Sequence, residues 1–169
     1  MALKISSQKL SEHIKKFGIF NKAKYHAMKC VKHILQSKSN AIYSVRAETS
    51  VLDALQVMMD KNISALLVME GLDLKGIFTE RDYARKIILQ GKSSKETLIA
   101  EVMTAQLETV SMNSTIDHCM QIMTARHIRH LPIVEDGKVG GMISIGDLVK
   151  FVIEDQKQTI EQLQSYISS

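Results

Sequence analysis

A segment of about 40 residues occurs twice in this chain, which is the length expected of a repeat unit and not of a short motif. The second copy follows the first at a constant offset of 65 positions, which places Leu66 opposite Leu131 and Asp82 opposite Asp147. Apolar, helix-capping and turn positions all keep this register, so the pattern indicates a true internal repeat. One copy is too small to bury a sheet alone. We therefore predict two halves that pack face to face about a pseudo-two-fold axis.

Each copy has the pattern of a strand, a helix, two strands and a second helix. In the first copy, Ser50 and Asp53 have the spacing of a capping box, which predicts the start of the first helix. The second helix is predicted from Glu80 to about Gln90, with Gly91 as its C-cap. Apolar and β-branched runs predict strands at 41–45, 64–69 and 74–79.

These elements predict a mixed α/β (α+β) fold of two βαββα repeats, with an N-terminal helical extension and a C-terminal helix. In the C-terminal helix, Ile160, Leu163 and Ile167 lie on one side, and we expect this side to pack on the body or on a second subunit. The predicted division is a lysine-rich extension 1–38, a first repeat 39–91, a connector 92–104, a second repeat 105–154 and the C-terminal helix 155–169.

The net charge of +4 is distributed unevenly, since residues 1–38 carry nine Lys and a single acid, Glu12. Leu10, Ile14 and Phe17 recur there at helical spacing, and Gly18 interrupts the pattern. A lysine-rich amphipathic segment such as 1–27 can contact nucleic acid or an anionic membrane, or act as a mitochondrial presequence. The segment has no Arg, which argues against a presequence, since presequences are usually rich in Arg. The interpretation that we favour is a solvated helix packed on the body.

The composition points to a cytoplasmic protein. No apolar run reaches the roughly 18 residues that a membrane helix needs, and the start lacks the apolar core of a secretory signal. Cys30 and Cys119 fit neither a disulfide scaffold nor a zinc site of four ligands. A reduced, intracellular location is therefore expected.

The feature with the clearest chemical meaning is a strand-turn-helix element that occurs in both copies, as Gly76–Asp82 and Gly141–Asp147. A hydroxyl residue at a helix start offers an anion site, and a carboxylate one turn later can accept hydrogen bonds from a sugar diol. The leading glycine lets a flat ring approach the backbone. The combination suits a nucleotide. The alternative is that Thr79 with Asp82 and Ser144 with Asp147 only cap their helices.

Basic residues break the symmetry of the two copies, which predicts clefts that differ in affinity or ligand, since phosphates require cations. The first copy has Arg81, Arg85 and Lys86 where the second has Gly146, Lys150 and Phe151. The second copy has Arg126, Arg129 and His130 where the first has Lys61, Ser64 and Ala65.

Neither a catalytic nor a metal site is predicted. His127 and His130 would point to opposite faces of a strand, and no acid or Cys completes a ligand set with them or with His118. Asp82 and Asp147 could be an acid/base pair, but equivalent positions in a repeat favour two binding clefts. No nucleophile with an adjacent base is visible. We expect a protein that is not an enzyme and has no prosthetic group.

The chain resembles a tandem pair of CBS domains, or Bateman module, from about Val31 to Ile153. The resemblance is carried by the two strand-turn-helix elements and by three further segments, Ala65–Val68, Glu101–Thr104 and His130–Val134. It is similar to the small stand-alone CBS-pair proteins. The resemblance does not include residues 1–27.

The resemblance implies a sensor that binds AMP, ADP, ATP, NAD(H) or S-adenosylmethionine between the repeats, forms homodimers and regulates a partner protein. It implies that Asp82 and Asp147 hold ribose hydroxyls, and that Thr79 and Ser144 lie at ribose or phosphate. Ser64 and Ala65 lack the cationic side chains of their counterparts Arg129 and His130, which predicts weaker phosphate binding in the first cleft. The remaining implied positions are Arg81, Arg129 and His130 for phosphate, and the backbone near Ile42, Ser64, Val110 and Arg129 for adenine.

The leading hypothesis is thus a regulatory protein that binds adenine nucleotides and acts by a shift between conformations. A second hypothesis is an interaction or scaffold module with vestigial clefts that acts through its basic N-terminal segment. An enzyme acting on a nucleotide is the third hypothesis.

Overall fold

The computed structural model describes residues 29–38 and 41–168. The predicted helical segment that contains Leu10, Ile14 and Phe17 lies outside these residues. The described elements, in chain order, are helix α1 (Val31–Ser37), strand β1 (Ser44–Val45), helix α2 (Val51–Lys61), strands β2 (Ala65–Glu70) and β3 (Asp73–Thr79), helix α3 (Glu80–Lys86), a 3-10 helix (Ile88–Gln90), helices α4 (Ile99–Val102) and α5 (Ile116–Ala125), strands β4 (His130–Glu135) and β5 (Lys138–Ser144), and helix α6 (Ile145–Ser168).

The two repeats form two small sheets with the same construction. In the first repeat β1 is parallel to β2, and β2 is antiparallel to β3. In the second repeat β4 is antiparallel to β5, and a parallel bridge from Val110 to Ile133 stands in place of the first strand. The pairing register shifts after Val68 in β2 and after Ile133 in β4, which are equivalent positions at the offset of 65. The internal repeat and the mixed α/β fold are confirmed.

Two predicted elements are shorter than expected. The strand predicted at 41–45 consists only of Ser44–Val45. The helix predicted to Gln90 ends at Lys86, because Ile87 leaves regular helical geometry and turns into the core, where it is fully buried. Gly91 adopts the left-handed conformation (φ 63°) and therefore ends the 3-10 helix and not α3.

The short helix that precedes each repeat packs on the other repeat. The N–H of Val31 in α1 donates to Ser114 O at 3.0 Å, and the N–H of Ile99 in α4 donates to Thr49 O at 2.9 Å. Ser114 and Thr49 are equivalent in the repeat. Helix α1 therefore completes the core of the second repeat and α4 that of the first. Residues 31–37, predicted as part of an extension, contribute buried side chains to the body.

The contact between the repeats is a third apolar cluster. Ala65, Leu67 and Ile77 of the first sheet are buried there, and Val139 and Met142 of the second sheet pack against them. The last helix of the second repeat and the predicted C-terminal helix form one continuous helix, α6, of 24 residues. No helix in the described ranges combines the length and the apolar character that crossing a membrane would require.

Gly76 in β3 is predicted to tolerate no side chain. A Cβ atom there would lie 2.8 Å from Met103 Sδ and 2.9 Å from Thr104 O. The carbonyl cannot retreat, because Ile77 and Thr104 exchange backbone hydrogen bonds of 3.0 and 2.9 Å. Gly76→Ala should lower the free energy of unfolding by about 2 kcal/mol, the usual cost of overpacking, as measured by urea denaturation.

Gly146→Ala is the matched control. A Cβ at Gly146, near the start of α6, would meet only Ser144 Oγ at 3.6 Å. Ala favours a helix over Gly by about 1 kcal/mol, so this variant should equal or exceed the wild type in stability. Equal destabilisation of both variants would contradict the packing assigned to Gly76.

Candidate functional site

Two cavities lie on either side of the junction between the repeats. The larger, of about 940 Å³, is named here the arginine cleft. The first repeat contributes the start of α3 to it, with Thr79, Arg81 and Asp82, and also Arg85. The second repeat contributes residues 126–130, which form the segment after α5 and the first residue of β4. Helix starts and strand starts are brought together here by the antiparallel hairpins, since β2 and β4 begin where β3 and β5 end.

The cations of the arginine cleft come from both repeats. Arg81 donates to the backbone carbonyl of His127, and Arg126 forms an ion pair with Glu108 at 2.9 Å. Arg85 and Arg129 make no ion pair with any residue in the described ranges. Two guanidinium groups thus remain available to the described cavity for an anionic ligand, and guanidinium matches phosphate geometry.

Both carboxylate oxygens of Asp82 already have donors. Oδ2 accepts the N–H of Thr79 at 3.0 Å and its hydroxyl at 2.6 Å. Oδ1 accepts the hydroxyl of Thr104 at 3.1 Å and pairs with the ammonium of Lys86 at 2.8 Å. Asp82 is only 9% exposed. Thr79 and Asp82 thus cap α3, and a sugar diol at this turn would have to share or replace these donors.

The smaller cavity, of about 630 Å³, is named here the Lys38 cleft. Ser144 and Asp147 lie on one side of it, and apolar side chains of α2, including Met58 and Met59, lie on the other. Asp147 Oδ2 accepts the N–H of Ser144 at 2.7 Å and its hydroxyl at 2.8 Å, so this turn is also a helix cap. The ammonium of Lys38 donates to the same oxygen at 2.8 Å.

The electrostatics of Asp147 follow from these contacts. Burial alone would raise the pKa of Asp147, but the hydrogen bonds from Lys38 and Ser144 outweigh it, and the pKa lies below the usual value of 3.8. The carboxylate is therefore charged at neutral pH. Lys38 is 109 positions from Asp147, and no local pattern in the sequence pointed to this pair.

Ser64 and His130 form the wall between the two cavities, and both residues line both of them. Ser64 Oγ and His130 Nε2 lie 3.3 Å apart. Burial lowers the pKa of His130, the charge of Asp147 opposes this effect, and the charges of Lys38 and Arg129 act in the same direction as burial. The imidazole is therefore neutral at pH 7 in the free protein.

Eight of the ten predicted site residues line the two cavities. The arginine cleft includes Thr79, Arg81, Asp82 and Arg129, the Lys38 cleft includes Ser144 and Asp147, and Ser64 and His130 belong to both.

The remaining two residues, Ile42 and Val110, line neither cavity. The backbone of Val110 is paired with β4, donating to Pro132 O and accepting from Val134, so its polar groups are not free for adenine. Ile42 is 42% exposed. The cavities of the free protein thus do not include these two positions, and their contact with adenine stays a prediction.

The distribution of charge bears on one further prediction. A weaker phosphate grip was expected in the first cleft, because Ser64 and Ala65 lack cations. The structure instead places Arg129 and His130 opposite Asp82 of the first repeat, since each cleft combines residues of both repeats. Of the cation-poor pair, Ala65 lines only the Lys38 cleft, whereas Ser64 lines both clefts.

Within residues 29–38 and 41–168, no group of three or more His, Cys, Asp or Glu side chains could hold a metal ion. Cys119 is fully buried in the core of the second repeat, and this burial raises the pKa of its thiol to about 11. The thiol is thus protonated at neutral pH, as expected of a core cysteine.

The lowered pKa of His130 predicts a dependence of stability on pH. At pH values between the pKa of His130 in the folded protein and the ordinary value of 6.5, the unfolded chain binds more protons at this histidine than the folded protein does. The free energy of unfolding should therefore fall as the pH drops below about 6.5. His130→Asn should weaken this dependence, as measured by urea denaturation between roughly pH 5 and 7.

His118→Asn is the control for this experiment, because His118 is exposed on α5. This variant should keep the wild-type dependence on pH. An unchanged slope in His130→Asn would contradict the burial that is assigned to His130.

The fold and the site define a class of protein built from two repeats with a ligand-sized cleft on each side of their junction. The sequence profile of the CBS domain matches residues 31–89 and 99–154. The chain therefore belongs to the CBS domain family and contains a tandem pair of these domains.

Named relatives agree with this assignment. The chain is 42% identical over 125 residues to the mitochondrial CBS domain-containing protein CBSX3 of Arabidopsis thaliana, a match that covers 71% of this chain and 61% of the relative. A solved protein with CBS domains from Burkholderia ambifaria is 49% identical, with a TM-score of 0.74, over 76% of this chain and 96% of that one. The CBS domain pair of protein MJ0100, solved in complex with 5′-methylthioadenosine and S-adenosyl-L-methionine, is 25% identical, with a TM-score of 0.68, over 76% of this chain and 98% of that one.

Proposed function

We propose that this protein is a regulatory module that binds adenosyl ligands in its two clefts and transmits the ligand state to a partner protein. The observation that carries the proposal is the arginine cleft, where Arg81, Arg85, Arg126 and Arg129 converge from both repeats. Four guanidinium groups around one cavity suit the phosphates of AMP, ADP, ATP or NAD(H). The adenosyl ligands of the MJ0100 pair support the choice of ligand class.

The Lys38 cleft suits a different member of the same class. Among the described residues that line it, Lys38 is the single Lys or Arg, and that cation is paired with Asp147. Its apolar wall includes Met58, Met59 and Met142. We propose that this cleft takes an adenosyl ligand without phosphate, such as S-adenosylmethionine, with the ribose at Asp147 and Ser144. The ribose can bind Asp147 in this way only after the ion pair between Lys38 and Asp147 has broken.

We infer that the two repeats can adopt two orientations relative to each other. A ligand that binds one orientation more tightly shifts the protein toward it, and this shift would change the activity of the partner protein. Each cleft has walls from both repeats, so a ligand there contacts both at once. We propose that the shift is relayed through a homodimer to a regulated protein, with the ligand exchanging freely and undergoing no reaction. A cytoplasmic location is part of this proposal, and the mitochondrial Arabidopsis relative makes the mitochondrion the alternative compartment.

A thermal-shift and calorimetry panel of AMP, ATP, NADH, S-adenosylmethionine and 5′-methylthioadenosine tests the proposal. A ligand at 100 times its Kd should stabilise the protein by about 2.7 kcal/mol. Phosphate-bearing ligands should lose affinity as salt is raised, whereas 5′-methylthioadenosine should not. If none of the five ligands binds at millimolar concentration, the proposal is wrong.

A scaffold with vestigial clefts is the second candidate function. The observation in its favour is that Asp82 and Asp147 already have cationic partners, Lys86 and Lys38, in the free protein. This candidate predicts that the panel gives no stabilisation while a partner protein still binds. Partner binding that depends on residues 1–27 and weakens with salt would support it.

A further inference from the structure

Helix α6 has a second apolar stripe that no residue in the described ranges covers. We name it the outer stripe. Its members follow one another in steps of four and three residues. Every apolar member is exposed, from 44% at Val149 to 86% at Ile167. Its members are Val149, Ile153, Gln156, Ile160, Leu163 and Ile167. A stripe with a mean period of 3.5 residues is typical of a seam between two helices.

The body does not use the outer stripe. The face of α6 that packs on the body contains Leu148 and Asp155, which are buried, together with the half-buried Phe151, Val152 and Thr159. At about 100° per residue, the outer stripe is rotated by about 100° from that face. The described body residues therefore leave the outer stripe exposed.

The sequence of residues 3–17 contains a complementary stripe. Leu3, Ser7, Leu10, Ile14 and Phe17 follow one another in steps of 4, 3, 4 and 3, and Gly18 comes directly after them. Read backward from Ile167 to Ile153, the outer stripe has the same steps. An antiparallel pair would therefore set Leu3 beside Ile167 and Phe17 beside Ile153, with the seam in register along its whole length.

The point where the described chain begins supports this pairing. The ammonium of Lys29 contacts the carboxylate of Asp155 and lies 5.7 Å from the centre of the Phe151 ring, so the chain starts against α6 itself. In the antiparallel alignment, Phe17 comes beside Ile153, within one helical turn of Asp155. Residues 18–28 can reach up to about 36 Å, more than this connection needs.

The charges of the two segments are opposite. Residues 1–28 contain six Lys and a single acid, Glu12. Residues 153–168 of α6 contain three acids, Glu154, Asp155 and Glu161, and one Lys, Lys157. A positively charged segment along a negatively charged helix gains attraction in addition to the apolar seam.

From these observations we propose that residues 3–17 form a helix that lies antiparallel along α6 and covers the outer stripe within the same chain. The occupant of this face is thus the chain's own N-terminal segment, and the surface is not a docking site for another molecule. The proposal does not depend on ligand binding in the clefts.

Disulfide trapping in the full chain tests the register. Leu10→Cys combined with Ile160→Cys should give an intramolecular disulfide on mild oxidation, detected as a faster-migrating monomer on a non-reducing gel. Leu10→Cys with Gln158→Cys is the control, because position 158 faces the opposite side of α6. The native Cys30 and Cys119 are buried and do not compete. A disulfide between two chains, or equal trapping in both pairs, would overturn the proposal.

Limited trypsin digestion gives a second readout in a chain without added cysteines. Leu163→Glu should expose residues 3–17 and speed cleavage at Lys9, Lys15 and Lys16 by roughly tenfold, because cleavage follows the population of the open form. Gln158→Glu adds the same charge on the opposite side of α6 and should leave cleavage unchanged. If the wild type is cleaved as fast as Leu163→Glu, the N-terminal segment does not cover the outer stripe.

Discussion

Replacing Arg129 by methionine is expected to weaken binding of AMP or ATP by about 10- to 100-fold, as measured by isothermal titration calorimetry. Arg129 lines the arginine cleft and has no ion-pair partner among residues 29–38 and 41–168, so its charge is available to a phosphate there. A hydrogen bond to a charged group contributes about 1.5–3 kcal/mol, which corresponds to that loss of affinity. Methionine keeps the length of the apolar stem and removes only the guanidinium.

Two observations separate this effect from a general loss of positive charge. Arg46→Met removes an exposed arginine that lines neither cavity and should leave the affinity within about twofold, since exposed charges at a distance are screened by salt. The salt dependence of ATP binding should also become shallower in Arg129→Met. If Arg129→Met binds phosphate-bearing ligands as the wild type does, the phosphate position in the arginine cleft is wrong.

Asp82→Ala is expected to lower the free energy of unfolding by about 2 kcal/mol, because partly buried hydrogen-bond donors lose their shared acceptor. The substitution removes the acceptor for Thr79, Thr104 and Lys86 at once. Lys86 is held close to the backbone by its bond to Val102 O at 2.7 Å, so part of its charge would stay in the protein without a counterion. Urea denaturation of the free protein measures the change.

Asp147→Ala is the matched comparison at the equivalent position of the second repeat. The side chain of Asp147 is 21% exposed, against 12% for Asp82, and its partner Lys38 is 40% exposed, against 34% for Lys86. Asp147 also lacks a counterpart of the Thr104 hydrogen bond to Asp82 among the described contacts. Its removal should therefore cost only about 1 kcal/mol, in the range of a surface ion pair and a helix cap. Equal losses in the two variants would contradict the different burial of the two turns.

This difference decides which variant can test ligand binding. Asp147→Ala should fold well enough for calorimetry, so a sharp loss of affinity for S-adenosylmethionine or AMP in this variant can be attributed to the site. In Asp82→Ala, a loss of affinity would be mixed with a loss of stability. Unchanged affinity of Asp147→Ala for every bound ligand would remove Asp147 from the site.

Much of the fold was predictable because its signals are local and occur twice. Ser50 caps α2 and Thr79 caps α3, as their spacing to Asp53 and Asp82 indicated. The hairpin at Asp136–Gly137 connects β4 to β5, with Gly137 at φ 77°. The end of α3 at Lys86 was not predictable, because it depends on Ile87 reaching the core of the assembled repeat.

The candidate site was predictable in its residue types but not in its grouping. Thr79, Asp82, Ser144 and Asp147 could be found because one pattern marks both turns. The contacts of Lys38 with Asp147 and of Arg81 with His127 join residues that are 109 and 46 positions apart. Such pairs depend on how the two repeats dock, and no periodicity within the chain encodes that.

The repeat marked by Gly76–Asp82 and Gly141–Asp147 was determined by the sequence alone, because capping and turn chemistry act over three or four neighbouring residues. Only the tertiary structure decided that α1 and α4 each complete the other repeat's core. It also decided that the arginines gather in one cleft while Lys38 occupies the other. The physical reason is that packing between the halves joins residues by shape and charge across the junction, independently of their distance along the chain.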